Sequence, residues 1–198
     1  SDKIIFDRKN DFLLIKGNVK IHETANDYTY KSEKITIDRK YDIIKSETKS
    51  TIQDRFKNIL SFNKFELNKG IIKIKDLNFK DLEDNSLNLD SAQIDTISNE
   101  LIGKDIMINL SNLTFAEENE PRIKGKSFSY TNNITKISKG VFTPCKKTEK
   151  CPPWQLSAEK IKHNKTKKTI NYENVWLKVY DVPVVYLPKF FHPDPTVK

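Results

Sequence analysis

The stretch Leu13-Leu14-Ile15-Lys16-Gly17-Asn18-Val19-Lys20-Ile21 places Leu13, Ile15, Val19 and Ile21 on one side and Lys16, Asn18 and Lys20 on the other. A period of two is the mark of a strand with one face on a core and one in water. The same beat recurs along the chain. Ile35 and Ile37 alternate with Lys34, Thr36 and Asp38, and Ile72 and Ile74 with Lys73 and Lys75. Ile106, Ile108 and Leu110 alternate with Met107 and Asn109, and Val175, Leu177 and Val179 with Trp176, Lys178 and Tyr180. Between the runs lie turn formers such as Asn68-Lys69-Gly70 and Thr131-Asn132-Asn133. No stretch keeps a helical apolar stripe over three turns. The chain reads as all-β, and strands with a single apolar face suit antiparallel pairing better than a parallel sheet covered on both sides.

A repeat underlies the beat. Ser32, Ser61, Ser91, Ser127 and Ser157 each open a strand–turn–strand segment, at spacings of 29, 30, 36 and 30 residues by subtraction. Units of this size cannot bury a face alone and must stack on their neighbours. An elongated open β-jelly-roll of stacked antiparallel strands is expected, with a β-solenoid as the alternative.

Composition narrows the function. With 36% hydrophobic and 31% charged residues, 11 Phe and 7 Tyr, the 198-residue chain is polar but not disordered. The longest apolar run, Val182 to Leu187, falls far short of the ~18 residues of a membrane helix. The net charge of +8 comes from lysines spread evenly, with no basic block beyond Lys165-Thr166-Lys167-Lys168. Nucleic-acid binders cluster basic residues among aromatics, so no nucleic-acid partner is expected.

Catalysis has little support. His22, His163 and His192 fall in no metal-ligand spacing, and neither a nucleophile elbow nor a glycine-rich phosphate loop is present. No enzyme activity, catalytic residue, metal or cofactor is expected. Cys145 and Cys151 are too few for a zinc site and too far apart for a CxxC redox motif. In an exported protein they are expected to be oxidised, to each other or to cysteines elsewhere in a longer chain, with two inert thiols as the alternative. The segment Val182-Pro183-Val184-Val185-Tyr186-Leu187-Pro188-Lys189-Phe190-Phe191-His192-Pro193-Asp194-Pro195 packs four prolines among apolar residues, so it is expected at an edge or on an exit path. With no signal peptide and no closing element, the chain is expected to be part of something longer.

Phe142-Thr143-Pro144-Cys145, Pro153-Trp154-Gln155-Leu156, Ala158-Glu159-Lys160-Ile161 and Val182-Pro183-Val184 leading to Tyr186-Leu187-Pro188 resemble the end of the periplasmic domain of LptD-type lipopolysaccharide-assembly outer-membrane proteins, the OstA-like family. Ile15-Lys16-Gly17-Asn18-Val19 and the Ser32–Asp38 strand resemble the repeat of that family's β-jelly-rolls. Both cysteines lie in one short motif here, unlike some members, so no pairing carries over. The resemblance implies a β-jelly-roll over residues 1–181 and an exit segment, 182–198, leading to an outer-membrane β-barrel. It also implies a location at the periplasmic face of the outer membrane of a Gram-negative bacterium. The implied partners are lipopolysaccharide through its lipid A, a periplasmic bridge protein joined by strand addition, the barrel and its lipoprotein plug. The groove that would carry the lipid is expected from the inward set Ile15, Val19, Ile21, Ile35, Ile37, Ile72, Ile74, Ile94, Ile106 and Ile108. A closed scaffold and a β-helical polysaccharide lyase or hydrolase are the rival expectations.

Overall fold

A computed structural model describes residues 1–24, 27–111, 119–146 and 153–193. Among them every regular element is a strand: β1 (Lys3–Asp7), β2 (Phe12–Glu23), β3 (Tyr28–Asp38), β4 (Ile43–Ser46), β5 (Ser50–Gln53), β6 (Ile59–Phe62), β7 (Lys64–Asn68), β8 (Ile71–Lys80), β9 (Ser86–Asp95), β10 (Glu100–Asn109), β11 (Arg122–Thr131), β12 (Ile134–Thr143), β13 (Trp154–Asn164), β14 (Thr169–Val179) and β15 (Val182–Pro193). They follow one sheet order, and neighbouring strands run antiparallel, as the alternation predicts. A β-solenoid, whose coils stack parallel, does not describe this pairing. The chain forms two compact units, residues 1–82 with 88–99, and residues 83–87 with 100–198.

Both units share a device that alternation alone does not reveal. Strands are interrupted near mid-length by a non-glycine residue in the left-handed region: Asn18 in β2, Asp76 in β8, Asp105 in β10, Lys139 in β12 and Asn174 in β14, with φ between 47° and 53°. Such a residue breaks the pleat and bends the strand. In β8, β12 and β14 buried side chains consequently stand three apart rather than two, at Ile74/Leu77, Ile137/Gly140 and Tyr172/Val175. β9 and β13 keep the same spacing, Leu89/Ala92 and Ala158/Ile161, without a left-handed residue of their own. A lone flat sheet leaves both faces in water. Exposure of 0% at Val175 and 2% at Ile161 in the second unit, and of 2% at Val19 and Leu89 in the first, therefore requires each unit's sheet to close over itself at this bend. Polar pairs bridge the interrupted rungs: Asn63–Asp76 at 3.0 Å, Lys126–Asp105 at 2.9 Å and Asn174–Glu159 at 2.6 Å.

In the second unit the strands run unbroken through the bend, and two transverse rows fill it. One is Ile106–Gly125 and Gly140–Ala158–Val175–Leu187; the other is Gly103–Phe128–Ile137–Ile161–Tyr172–Phe190. Small residues of the first row receive large ones of the second. A methyl on Gly125 would stand 2.2 Å from Ile137 Cγ2, and one on Gly140 would stand 2.4 Å from Ile161 Cδ1. Among the described strands β15 pairs only with β14 and is an edge. Pro188 occupies the rung opposite Asn174 where the ladder is already interrupted, and Pro183 follows a register shift between Leu177 and Lys178. A missing N–H costs least at such places.

In the first unit two strands break at the bend. β4 and β5 flank Glu47-Thr48-Lys49, β6 and β7 flank Asn63, and the halves pair β4 with β7 and β5 with β6. The extra residue brings hydroxyls inward. Ser32, Ser46 and Ser50 are buried, and Ser32 Oγ lies 3.2 Å from Ser46 Oγ and 3.0 Å from Thr48 Oγ1. Ser50 Oγ donates to Ser32 Oγ at 3.0 Å and meets Tyr30 Oη at 3.0 Å. Ser61, Ser91, Ser127 and Ser157 each immediately precede a buried bend residue (Phe62, Ala92, Phe128, Ala158), whereas Ser32 is itself buried.

Candidate functional site

Two residues away from the bend, the same inward face is only half covered. Period two carries the buried rows of the second unit to Ile108–Ile123–Phe142–Leu156–Leu177–Val185, each directly opposite the next. The first five are half-buried and Val185 is 43% exposed. Six side chains at a strand spacing of about 4.8 Å make an apolar strip about 24 Å long. It contains no polar side chain. Trp154 extends it at one side, its ring edge-on to Phe142 at 6.1 Å. Beyond the bend, the opposing row Leu101–Tyr130–Thr135–His163–Ile170–His192 is mixed in character.

The first unit repeats the strip. Phe6–Leu13–Ile37–Ile44–Leu67–Ile72 cross β1, β2, β3, β4, β7 and β8 in register. All but Phe6, which is 46% exposed, are half-buried. On the other side of the bend run Ile21–Tyr30–Ile52–Leu60–Phe79. An apolar side chain left half in water on an inward face holds free energy that an apolar ligand would release, at about 25 cal/mol per Å² covered. The arrangement lends itself to binding an extended apolar chain by contact.

The residues expected to form a groove fall at three depths. Val19, Ile35, Ile74 and Ile106 are 2–4% exposed and pack the bend. Ile15, Ile37, Ile72, Ile94 and Ile108 are half-buried, and Ile37, Ile72 and Ile108 belong to the two apolar strips. Ile21 stands 43% exposed at the end of its row. Alternation had drawn attention to Leu13 and Leu177 without marking them as lining, and Ile44 lay outside the alternating runs. Ile123, Phe142, Leu156, Leu67, Ile52 and Phe79 were missed. The signal that finds them is hairpin register: once turns such as Asn132-Asn133 pin the pairing, the residues opposite a known inward position are inward too.

Polar chemistry near the strips is sparse. Tyr172 is 3% exposed, its hydroxyl lies 2.9 Å from His192 Nε2, and burial pushes its pKa up to about 12. Among the described residues no three His, Cys, Asp or Glu side chains gather as a metal would require. Cys145 is a free thiol, half-buried, with Sγ 3.6 Å from the Trp154 carbonyl oxygen. Cys151 lies outside the described residues, as do Asp194 and Pro195 of the proline-rich segment. No helix among the described residues is long and apolar enough to cross a membrane. No family model matches the chain, and no curated protein shows significant similarity to it.

Proposed function

We propose that this chain is a non-catalytic β domain that binds the acyl chains of lipopolysaccharide and passes the lipid onward. It acts at the periplasmic face of a Gram-negative outer membrane, as the OstA-like resemblance implies. The observation that carries the proposal is the pair of in-register apolar strips, Phe6–Ile72 and Ile108–Val185, on the face that is buried only at the bend. A strip without polar groups fixes no headgroup and offers no orientation-specific pocket, which suits cargo that must move on. Burial is worth about 0.8 kcal/mol per methylene, so a chain of a dozen carbons lying on such a strip is held firmly yet without covalent or ionic attachment. The edge strands suit partners joined by strand addition. β1 exposes Ile4, Ile5 and Phe6, and β15 exposes Val182, Val184, Val185, Tyr186 and Phe191. In this proposal β1 receives a bridge protein and β15 leads toward a barrel with its lipoprotein plug.

The test is photo-crosslinking in cells that make the full-length protein, with benzoyl-phenylalanine at half-buried Ile37 and Leu156, at buried Ile106, and at outward Lys34 and Lys160. Lipopolysaccharide adducts are expected at Ile37 and Leu156 only. Equal labelling of inward and outward positions, or none at the strips in assembled protein, rejects the proposal in favour of a closed scaffold.

A further inference from the structure

The only basic block in the sequence, Lys165-Thr166-Lys167-Lys168, has no part in the apolar strips. It forms the turn between β13 and β14. The Lys165 amide donates to the Asn133 carbonyl at 2.9 Å, which ties this turn to the β11–β12 turn beside it. Lys165 Nζ lies 5.5 Å from the centre of the Tyr130 ring. On the outward face just behind the turn, Lys136 stands directly opposite Lys162. Like charges facing each other across a ladder are destabilising, and neither is relieved by an ion pair among the described residues. Of the acidic residues on this half of the outward face, Glu173 is engaged by Lys160 at 3.4 Å and Glu100 stands on β10, three strands from Lys162. Five exposed ammonium groups are thus gathered at one end of the second unit, and no ion pair engages any of them among the described residues.

An apolar anchor stands beside them. The rung Lys136–Lys162 continues to Asn171 and then to Phe191, which is outward-facing and 70% exposed. We infer that this end of the second unit, Lys136, Lys162, Lys165, Lys167 and Lys168 with Phe191, is a docking surface for an anionic lipid leaflet. Lysines are compact, mobile point charges suited to a diffuse field of headgroups, whereas fixed phosphate recognition favours the arginine fork. A phenylalanine at the rim enters the acyl boundary while the lysines remain at headgroup level. Nucleic acid fits less well. Base stacking needs several open aromatic faces interleaved with the cations, whereas of the two rings beside these lysines only Phe191 is open, the Tyr130 ring having the Lys165 ammonium over it. None of these residues belongs to the inward apolar strips, so the inference stands whether or not the strips carry lipid.

The test uses the whole chain in co-sedimentation with vesicles of phosphatidylethanolamine and phosphatidylglycerol, against phosphatidylcholine vesicles. Binding is expected only to the anionic vesicles and is expected to vanish at about 1 M salt, where the Debye length is about 3 Å. K165Q/K167Q/K168Q is expected to lower partitioning about a hundredfold, at about fivefold per lysine, and F191S several-fold. The control K9Q/K49Q/K73Q removes the same charge from scattered, exposed positions of the first unit and is expected to stay within about twofold of the parent. No binding to anionic vesicles, or an equal loss in the control triple, overturns the inference. Loss of duplex-DNA binding in the turn variant with vesicle binding intact overturns it in favour of a nucleic-acid partner.

Discussion

The two units turn the same bend by different chemistry. In the second, the strands run unbroken through the bend, and the interior is closed by interlocking small and large apolar residues: Gly125 and Gly140 against Ile137 and Ile161. In the first, two strands break, and a buried hydroxyl network around Ser32, Ser46, Thr48 and Ser50 joins apolar residues such as Val19, Ile35 and Ile74 in the interior. The first arrangement leaves no room for volume and the second leaves no room for an unpaired group. The difference predicts opposite sensitivities: the second unit is vulnerable to added methyls, the first to lost hydroxyls.

The largest effect is expected at Gly125. Its missing Cβ would meet Ile137 Cγ2 at 2.2 Å, Ile106 Cγ2 at 3.0 Å and the Ser138 carbonyl oxygen at 3.3 Å. Both isoleucines are β-branched and stiff at χ1, so they cannot swing clear. Gly125→Val is expected to cost about 3 kcal/mol or more, with Gly125→Ala costing less. Trp154 and Trp176 are the chain's two tryptophans and both lie in the second unit. Tryptophan fluorescence in a urea titration therefore reads that unit directly, and an unmoved midpoint in the valine variant would break the account of the bend as tightly interlocked.

How far the sequence shows this is uneven. Strand faces are legible because each run from Leu13 to Val179 alternates, and antiparallel pairing follows from their one-sidedness. The bend is not legible. Asp105 and Lys139 are ordinary polar residues at outward positions, and nothing in their identity announces a left-handed backbone. Alternation can be counted straight through the interruption because the residues missed by the count are themselves polar. Groove candidates suffer for the same reason. Ile106 and Ile108 are equivalent in the pattern, yet one is 2% exposed at the bend and the other half-buried on the strip. Depth is set by distance from the bend, so a pattern that hides the bend hides the depth.

The hydroxyl network supplies the next effect. Ser50 is 1% exposed and its Oγ donates to Ser32, with Tyr30 Oη on its other side. Ser50→Ala leaves buried groups short of a partner while removing no apolar contact, for an expected loss of about 1–2 kcal/mol. Far-UV circular dichroism should record an earlier urea transition for the first unit while the tryptophan midpoint holds. If the two signals shift together, the units unfold as one and their separate chemistries are energetically coupled.

The smallest effect has the opposite sign. Lys139 holds φ at 48° in the middle of β12, exposed, in a conformation that costs an L-residue roughly 1–2 kcal/mol and glycine almost nothing. In most strands glycine is destabilising, because the unfolded chain gains more freedom than the strand can use. Here the relief of strain and the gain in unfolded entropy oppose each other, and the first is the larger. The Lys139 side chain makes no ion pair among the described residues, so removing it forfeits little. Lys139→Gly is therefore expected to stabilise the second unit by about 0.5 kcal/mol, seen as a later tryptophan midpoint at unchanged slope. At Asp105 the same substitution is expected to give no gain, because it also removes the 2.9 Å bond to Lys126 that bridges the interrupted rung. A gain at Lys139 without one at Asp105 would separate the strain of the bend from the polar pairs that hold it.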